Sequence, residues 1–282
     1  MCGKVSGPAG SVPVVAVSEV ARLPGVNVWA VDCCAVHPGW SGVEVRDDHR
    51  IVLVRGGRFL RRIGRHESMA DPTVAYVGTP GEVEQFAHPA GGDRCTSISV
   101  RPELWRAVAG ERWTLGRSDV YVDARVDLLH RRLLRAGRTG DVHFALAEQV
   151  VRLVAVAALA ASRGRSCAHR RGGLPDDAVA AAARAAVLDD EPGADGLIPL
   201  AERFGVSPFA LSRAFSAVMG VSLTRYRNRV RVGRALERFE NGDRDLAGLA
   251  ADLGFSDQAH MTRTIRAHLG ETPTALRTLL SV

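Results

Sequence analysis

Gly205-Val-Ser-Pro-Phe-Ala-Leu-Ser-Arg-Ala-Phe215 recurs in altered form as Gly254-Phe-Ser-Asp-Gln-Ala-His-Met-Thr-Arg-Thr-Ile265. The two leading glycines are 49 residues apart (254 − 205), and the segments that begin at Leu211 and Met261 are 50 apart (261 − 211). An internal repeat indicates one structural unit used twice. Each copy predicts a helix, a glycine turn and a second helix, with one extra residue after the turn in the second copy.

The residues around each turn explain why one helix ends and another begins. Gly205 and Gly254 suit the left-handed backbone that often follows a helix C-terminus, because glycine adopts it at little cost. Ser207-Pro208 is typical of an N-cap followed by proline at the first helical position. Ser256-Asp257 occupies the same place in the second copy. The two helix-turn-helix units are therefore predicted at about residues 196–219 and 245–269.

The second helix of each copy has an apolar face and a polar face. Apolar residues at helical spacing, such as Leu211, Phe215, Met261 and Ile265, are expected in the core. The opposite faces suit DNA bases, since arginine grips guanine and glutamine grips adenine with two hydrogen bonds each, worth ~1–3 kcal/mol of discrimination. Solvated faces are the alternative, but the matching arginines of the two copies favour DNA. The predicted base-facing residues are Phe209, Ser212, Arg213, Gln258, Thr262 and Arg263.

An arginine-rich segment joins the two copies. Six arginines and two glutamates fall between Ser222 and Glu240. A helix of this length spans ~28 Å, a reach that would hold two recognition helices about one turn of duplex apart, near ~34 Å. Because nearly all charges of this segment are positive, we favour contact with phosphates over the alternative of a solvent-exposed charged helix. The predicted phosphate-contacting residues of the whole domain are Ser207, Ser216, Arg225, Arg229, Arg266 and Thr272.

These residues resemble the AraC/XylS family of transcription regulators over about the last ninety residues. The resemblance implies two motifs in adjacent major grooves, with the six base-facing positions named above directed at bases. Leu223 and Leu276 stand where the family often has proline and tyrosine, which we interpret as packing changes. The matching segments are Gly220-Val-Ser222 with Tyr226, Arg231 and Ala235, then Gly254-Phe255-Ser256, Thr262-Arg263-Thr264, Gly270-Glu-Thr272-Pro273 and Arg277.

The N-terminal part, from about residue 27 to residue 100, predicts many short strands. Residues 50–55 and 58–63 are expected to form a hairpin around Gly56-Gly57. Closely spaced strands favour a sandwich or barrel over alternating strands and helices. Together with the C-terminal resemblance, this region is similar to the cupin-like jelly-roll sensor of many AraC-type regulators. The predicted fold class is α+β, with an N-terminal β-barrel or jelly roll plus helices and an all-α C-terminal double helix-turn-helix.

Residues 101–162 show helical patterns with more apolar surface than one small face needs. We expect this surface to form a homodimer; the rival interpretation is that the barrel covers it. Residues 163–175 are rich in Gly, Ser and Arg and predict a linker. The expected domains are thus 1–162 for sensing and dimerisation, 163–175 as linker and 176–282 for DNA binding.

Bulk properties agree with a nucleic-acid partner inside the cell. The net charge is +6 and the isoelectric point is near 9.5, which favours a partner made of phosphates. The N-terminus lacks a signal-peptide pattern, and no run approaches the ~20 apolar residues of a membrane span. The five cysteines contain no C-x-x-C pair. We therefore expect a cytoplasmic protein with no membrane partner.

No metal or other cofactor is predicted from the sequence. His49, His66 and His88 are isolated and lack the close His-x-His pair of metal-binding cupins. Cys33 and Cys34 are adjacent on a predicted strand, so one is expected in the core and the other exposed. Two interpretations of this pair stay open, a buried small hydrophobe and a redox sensor. Ligand-binding residues are not predicted.

The sequence as a whole predicts a sequence-specific transcription regulator rather than an enzyme. Its expected partners are double-stranded promoter DNA, RNA polymerase, a second copy of the chain and a small-molecule effector. The family resemblance implies an activator. Two alternatives remain: a cupin-type enzyme with an appended DNA-binding module, and an architectural DNA-binding protein without an effector.

Overall fold

A computed structural model describes residues 15–34, 39–140, 142–163 and 176–280. The chain divides into two compact units. The N-terminal unit comprises Met1–Val122 and Arg132–Gly164, and the C-terminal unit comprises Asp123–Arg131 and Arg165–Val282. Almost all of the predicted linker, 163–175, lies outside the described residues. The grouping of Asp123–Arg131 with the C-terminal unit has no counterpart in the sequence analysis.

The N-terminal unit contains two antiparallel sheets. One has six strands in the order β1-β2-β9-β4-β7-β10, and the other has four in the order β3-β8-β5-β6. The strands are β1 Val15–Leu23, β2 Val26–Cys33, β3 Glu44–Val45, β4 His49–Gly57, β5 Phe59–Ile63, β6 His66–Ala70, β7 Val74–Gly78, β8 Val83–Ala87, β9 Asp93–Val100 and β10 Asp119–Tyr121.

Residues from both sheets meet in one apolar cluster. Side chains of β4, β7 and β9 from the larger sheet pack against those of β5, β6 and β8 from the smaller one. Alternate residues of a strand point to opposite faces, so each strand contributes every second residue. The predicted jelly-roll class is thereby confirmed. The buried members are Val52, Val54, Phe59, Ala70, Tyr76 and Cys95, with Val31 and Phe86 partly buried beside them.

The predicted hairpin around Gly56-Gly57 is wrong. Strand β4 continues through both glycines and pairs with β9, with Gly57 opposite Asp93. A Cβ on Gly57 would lie 2.3 Å from the Gly92 carbonyl oxygen. The glycines therefore permit close contact between strands and a crossing to the second sheet. The tight hairpin is instead β5–β6, where Ile63 pairs with His66 across a two-residue loop.

Three helices accompany the sheets: α1 Pro102–Ala109, α2 Ala124–Thr139 and, after a short π-helical turn, α3 Ala147–Ser162. Trp105 of α1 is buried and stacks on His49, with ring centroids 4.4 Å apart. One face of α3 is buried, while Val151 and Leu159 remain 47% and 50% exposed.

The segment Phe144–Ser162 is long and apolar enough to cross a membrane. No such segment is expected from the sequence, because the longest apolar run, residues 153–161, is bounded by Arg152 and Ser162. The segment is apolar on average despite its charged residues, and 44% of its most apolar stretch is buried inside the protein. Core helices share these properties.

Among the described residues of the C-terminal unit, all regular elements are helices, and turns connect them. Its helices are α4 Asp176–Leu188, α5 Leu197–Arg203, α6 Pro208–Met219, α7 Leu223–Glu240, α8 Leu246–Asp252, α9 Gln258–Leu269 and α10 Pro273–Leu280. Helices α5 and α6 form the first helix-turn-helix, and α8 and α9 form the second. The 18-residue α7 joins them.

Helix α7 supplies core to the helices around it. Its C-terminal half packs with α8, α9 and α10 around Phe239, Met261 and Ile265. Ala124 and Leu128, from the first turns of α2, join the same cluster. Toward its N-terminus, Tyr226 lies edge-on to Phe215 of α6 with ring centroids 5.1 Å apart. Both motifs are thus built on one shared helix.

A buried ion pair lies within this core. Arg229 of α7 is 3% exposed at its side chain, and one of its guanidinium nitrogens lies 3.2 Å from Asp127 Oδ2. Arg131 donates to Asp127 Oδ1 at 2.9 Å and also pairs with Glu240. A Cβ on Gly233 would lie 2.5 Å from Arg229 Nη1, so glycine makes room for the pair. Burial alone raises the pKa of Asp127, but Arg229 and Arg131 lower it below its ordinary value.

We expect Asp127→Asn to lower the free energy of unfolding of the C-terminal unit by about 3–5 kcal/mol at neutral pH, because buried Arg229 would lose the carboxylate that lies 3.2 Å from it. Since the folded pKa of Asp127 is lowered, its contribution is present above the unfolded pKa of about 3.9. It is lost as pH falls through the folded pKa, so variant and wild type converge in acid.

Urea unfolding of the full chain, followed by helical circular dichroism at several pH values, measures the difference, and hydrogen exchange of α7 assigns it. Asp190→Asn is the matched control, because the Arg234–Asp190 pair is exposed, with the Asp190 side chain at 73%, and exposed pairs contribute under about 1 kcal/mol. Equal losses in the two variants would contradict a special role for the buried pair.

Candidate nucleic-acid interface

Helix α6 presents the first predicted recognition surface. Ser207 is its N-cap and accepts a hydrogen bond from the Ala210 N–H at 3.1 Å. The helix ends at Gly220, whose φ is 71°. Leu211, Phe215 and Met219 are buried on one side, as predicted. On the other side Phe209 is 78% exposed, Arg213 is exposed and Ser212 is half-buried.

Helix α9 repeats this arrangement in the second motif. Asp257 is the N-cap, and its carboxylate accepts the His260 N–H at 2.6 Å. That hydrogen bond, together with the charge of Arg263, holds the pKa of Asp257 below its ordinary value. Met261 and Ile265 are buried. Gln258 and Arg263 are exposed and Thr262 is half-buried, so the second predicted face is also directed outward.

The two motifs correspond residue by residue over a longer stretch than the sequence pattern indicates. Helices α6 and α9 both have 12 residues and start 50 apart (258 − 208). Arg213 corresponds to Arg263 at that offset, and Ser222 corresponds to Thr272. Ser222 and Thr272 each accept a hydrogen bond from the N–H three residues later. Ser222 is therefore a candidate phosphate contact that the sequence analysis missed.

The predicted phosphate contacts fall into three groups. Arg225 and Arg266 are exposed side chains. Ser207, Ser216 and Thr272 are exposed or half-buried, at or near helix termini. Arg229 is buried and paired with Asp127, so its prediction as a phosphate contact is wrong. A buried acidic partner 102 residues away in sequence (229 − 127) leaves no signal in the local charge pattern.

Other arginines of α7 are also bonded within the C-terminal unit. Arg227 donates to the carbonyl oxygen of Asp195. Arg234 pairs with Asp190, and Arg238 pairs with Asp243. The interpretation of α7 as a continuous phosphate-lining helix is therefore wrong for most of its arginines. They tie α7 to neighbouring loops, whereas Arg213 on α6, Arg263 and Arg266 on α9, and Arg225 are exposed.

Comparison with known proteins identifies the C-terminal region. A family model described as "Helix-turn-helix domain" matches residues 200–278, which include both motifs and α7. A comparison with curated proteins gives no match. Among solved structures, the chain is similar to ToxT from Vibrio cholerae O395, at 7% identity over 94% of this chain and 97% of that chain, with a TM-score of 0.36.

Two further solved structures resemble single parts of the chain. The C-terminal domain of AraT, a response regulator from Geobacillus stearothermophilus, is 22% identical over 37% of this chain and 87% of that chain, with a TM-score of 0.35. The cupin domain of an XRE family transcriptional regulator from Enterobacter cloacae is 9% identical over 32% of this chain and 98% of that chain, with a TM-score of 0.28. With both motifs inside the matched family model, residues 200–278 belong to the AraC-type helix-turn-helix family, and the chain is a DNA-binding transcription regulator.

Proposed function

We propose that this regulator reads a specific DNA sequence through α6 and α9, which enter neighbouring major grooves of one duplex. The observation that carries the proposal is that Arg213 and Arg263, at equivalent positions of the two motifs, are both exposed while the opposite faces of their helices are buried. A solvated surface has no requirement for the same guanidinium in both copies. Base readout does require an arginine in both copies, because arginine is the commonest specific partner of guanine.

The two recognition faces differ in chemistry. Phe209, at 78% exposure, suits apolar contact with a thymine methyl group, and Gln258 suits a bidentate pair with adenine. Arg225, Arg266 and Thr272 would contact phosphates and fix the register, since such contacts position a protein without carrying sequence information. The two half-sites are therefore expected to differ in sequence.

The remaining parts of the proposal concern the N-terminal unit. The regulator is cytoplasmic and not an enzyme, acts as a homodimer, responds to a small-molecule effector, and activates transcription through contact with RNA polymerase. The exposed apolar residues of α3 support the dimer. The apolar cluster between the two sheets supports ligand sensing. One solved ToxT structure contains an unsaturated fatty acid, which is a ligand of that protein.

We expect Arg263→Ala to weaken binding to the preferred site by ~1–3 kcal/mol and to leave binding to random duplex nearly unchanged. Arg266→Ala is expected to weaken both about equally and to reduce the salt slope by about 1. The preferred site is first selected from a randomised duplex library with the wild type. Fluorescence anisotropy at several salt concentrations then gives both affinities.

Arg106→Ala, an exposed arginine of α1 in the N-terminal unit, serves as the control for loss of one positive charge. Equal loss of specific and random binding in Arg263→Ala would remove Arg263 from base readout and contradict the proposal.

Selection with variants tests the two-groove arrangement. Arg213→Ala and Arg263→Ala are each expected to relax preference at one group of base pairs, and the two groups should lie about one helical turn, ~10 bp, apart. The same selection experiment on the two variants gives the positions. If both variants lost sequence preference at the same base pairs, simultaneous insertion of α6 and α9 into two grooves would be contradicted.

The dimer is tested on α3. Leu159→Glu is expected to convert a homodimer into a monomer, because it places a charge in an apolar interface. Arg106→Glu makes a comparable charge change on α1, at a side chain that is 51% exposed, and should leave the dimer intact. Light scattering after gel filtration measures the mass. A monomeric wild type, or equal dissociation in both variants, would exclude this surface.

A further inference from the structure

Three possible metal ligands converge at one corner of the β-sandwich. Cys33 ends β2, Asp93 begins β9, and His88 lies just beyond β8. One ligand atom from each residue lies within 4.8 Å of those from the other two. In the described part of the chain they come from three separate segments of the N-terminal unit, so the local sequence pattern gave no sign of the cluster.

The sheet register fixes two of the three residues. Cys33 is directly opposite Asp93 in the β2–β9 ladder, so their side chains project from the same face. Gly92 allows the close approach, since a Cβ there would lie 2.0 Å from the Cys33 carbonyl oxygen. Gly57 also lies close to Gly92, since a Cβ on Gly57 would lie 2.3 Å from the Gly92 carbonyl oxygen. This corner therefore holds the thiol and the carboxylate in a rigid backbone frame.

His88 and Asp93 make a close polar contact at this corner. His88 Nε2 lies 2.9 Å from Asp93 Oδ1, and the Asp93 side chain is only 3% exposed. A buried carboxylate requires a hydrogen-bond donor or a positive charge beside it. The Nε2–H of His88 meets that requirement at this distance, and a cation held by both side chains meets it equally.

We propose that Cys33, His88 and Asp93 form a binding site for a divalent transition-metal ion of the zinc class. A thiolate, an imidazole and a carboxylate together suit zinc, which binds them at about 2.3, 2.0–2.1 and 2.0–2.2 Å. Those bond lengths place tetrahedral ligand atoms about 3.5 Å apart, a spacing that small side-chain shifts reach from the observed cluster. A hard ion such as magnesium prefers oxygen ligands.

A tetrahedral zinc ion held by these three residues would have one coordination position left. Three protein ligands are typical of zinc sites with an open fourth position. The His88 side chain is 18% exposed, which places the entrance on its side of the cluster. The His88 ring lies 5.8 Å from the Phe59 ring, so packing limits its rotation. Cys95, two residues along β9 from Asp93 and on the same face of the strand, is also buried.

The test uses the full untagged chain, stripped with a chelator and kept reduced with a phosphine. Zinc is added in competition with a chromophoric chelator. We expect one tight equivalent per chain, and at least about tenfold weaker binding in Cys33→Ser, His88→Gln and Asp93→Asn. Cys34→Ser is the matched control, because Cys34 is the exposed neighbour of the buried Cys33. Magnesium should not compete.

Cobalt gives an independent measurement of the thiolate ligand. The sulfur-to-metal charge-transfer band of the cobalt-loaded chain should vanish in Cys33→Ser and persist in Cys34→Ser. If Cys33→Ser fails to fold, His88→Gln decides the matter, since His88 lies at the rim of the cluster. Less than one equivalent in the wild type, unchanged zinc affinity in His88→Gln and Asp93→Asn, or equal loss in Cys34→Ser and Cys33→Ser would overturn the proposal.

Discussion

The packing of the C-terminal unit around α7 depends on the ion pair between Asp127 and Arg229. Helix α7 must bury one face against both helix-turn-helix motifs while it carries six arginines. A guanidinium enters a core only with an opposite charge and hydrogen bonds, because an unpaired buried charge costs several kcal/mol. Asp127 meets this requirement for Arg229, and Gly233 leaves space for the contact. The helix thereby gives up much of its positive charge to internal structure.

Internal use of that charge concentrates DNA-binding chemistry on the recognition helices. Arg213 and Arg263 share equivalent positions, but their neighbours differ, since Phe209 and Ser212 accompany the first and Gln258 and Thr262 the second. An apolar face beside one arginine and an amide beside the other would select different bases. In the proposed arrangement, two unlike motifs joined by one helix would give a single chain a defined direction along the duplex, whereas two identical motifs would not.

The elements predicted best from the sequence are those controlled by local chemistry. The glycine turns, the Ser207 and Asp257 caps and the buried faces of α6 and α9 all depend on residues a few positions apart. Strand positions in the N-terminal unit were also predictable, apart from β1, β6 and β10. The partners of individual residues could not be predicted. Gly56-Gly57 has the sequence of a hairpin turn, but it pairs with β9. Arg229 lies in a run of arginines that suits phosphates, but it forms an ion pair with Asp127. Long-range pairing decided both, and no local pattern encodes it.

The same limitation explains why Cys33, His88 and Asp93 appear unrelated in sequence and adjacent in the fold. The sandwich offers two chemically distinct environments, an apolar interior around Phe59 and Tyr76 and a polar corner with sulfur, nitrogen and oxygen donors. A ligand in either one changes DNA binding only if it binds two arrangements of the protein with different affinity. Dimerisation through α3 would provide such arrangements, because the spacing of two DNA-binding units on one operator depends on how the copies associate. Regulation would then act on the geometry of paired recognition helices, while the faces of α6 and α9 stay unchanged.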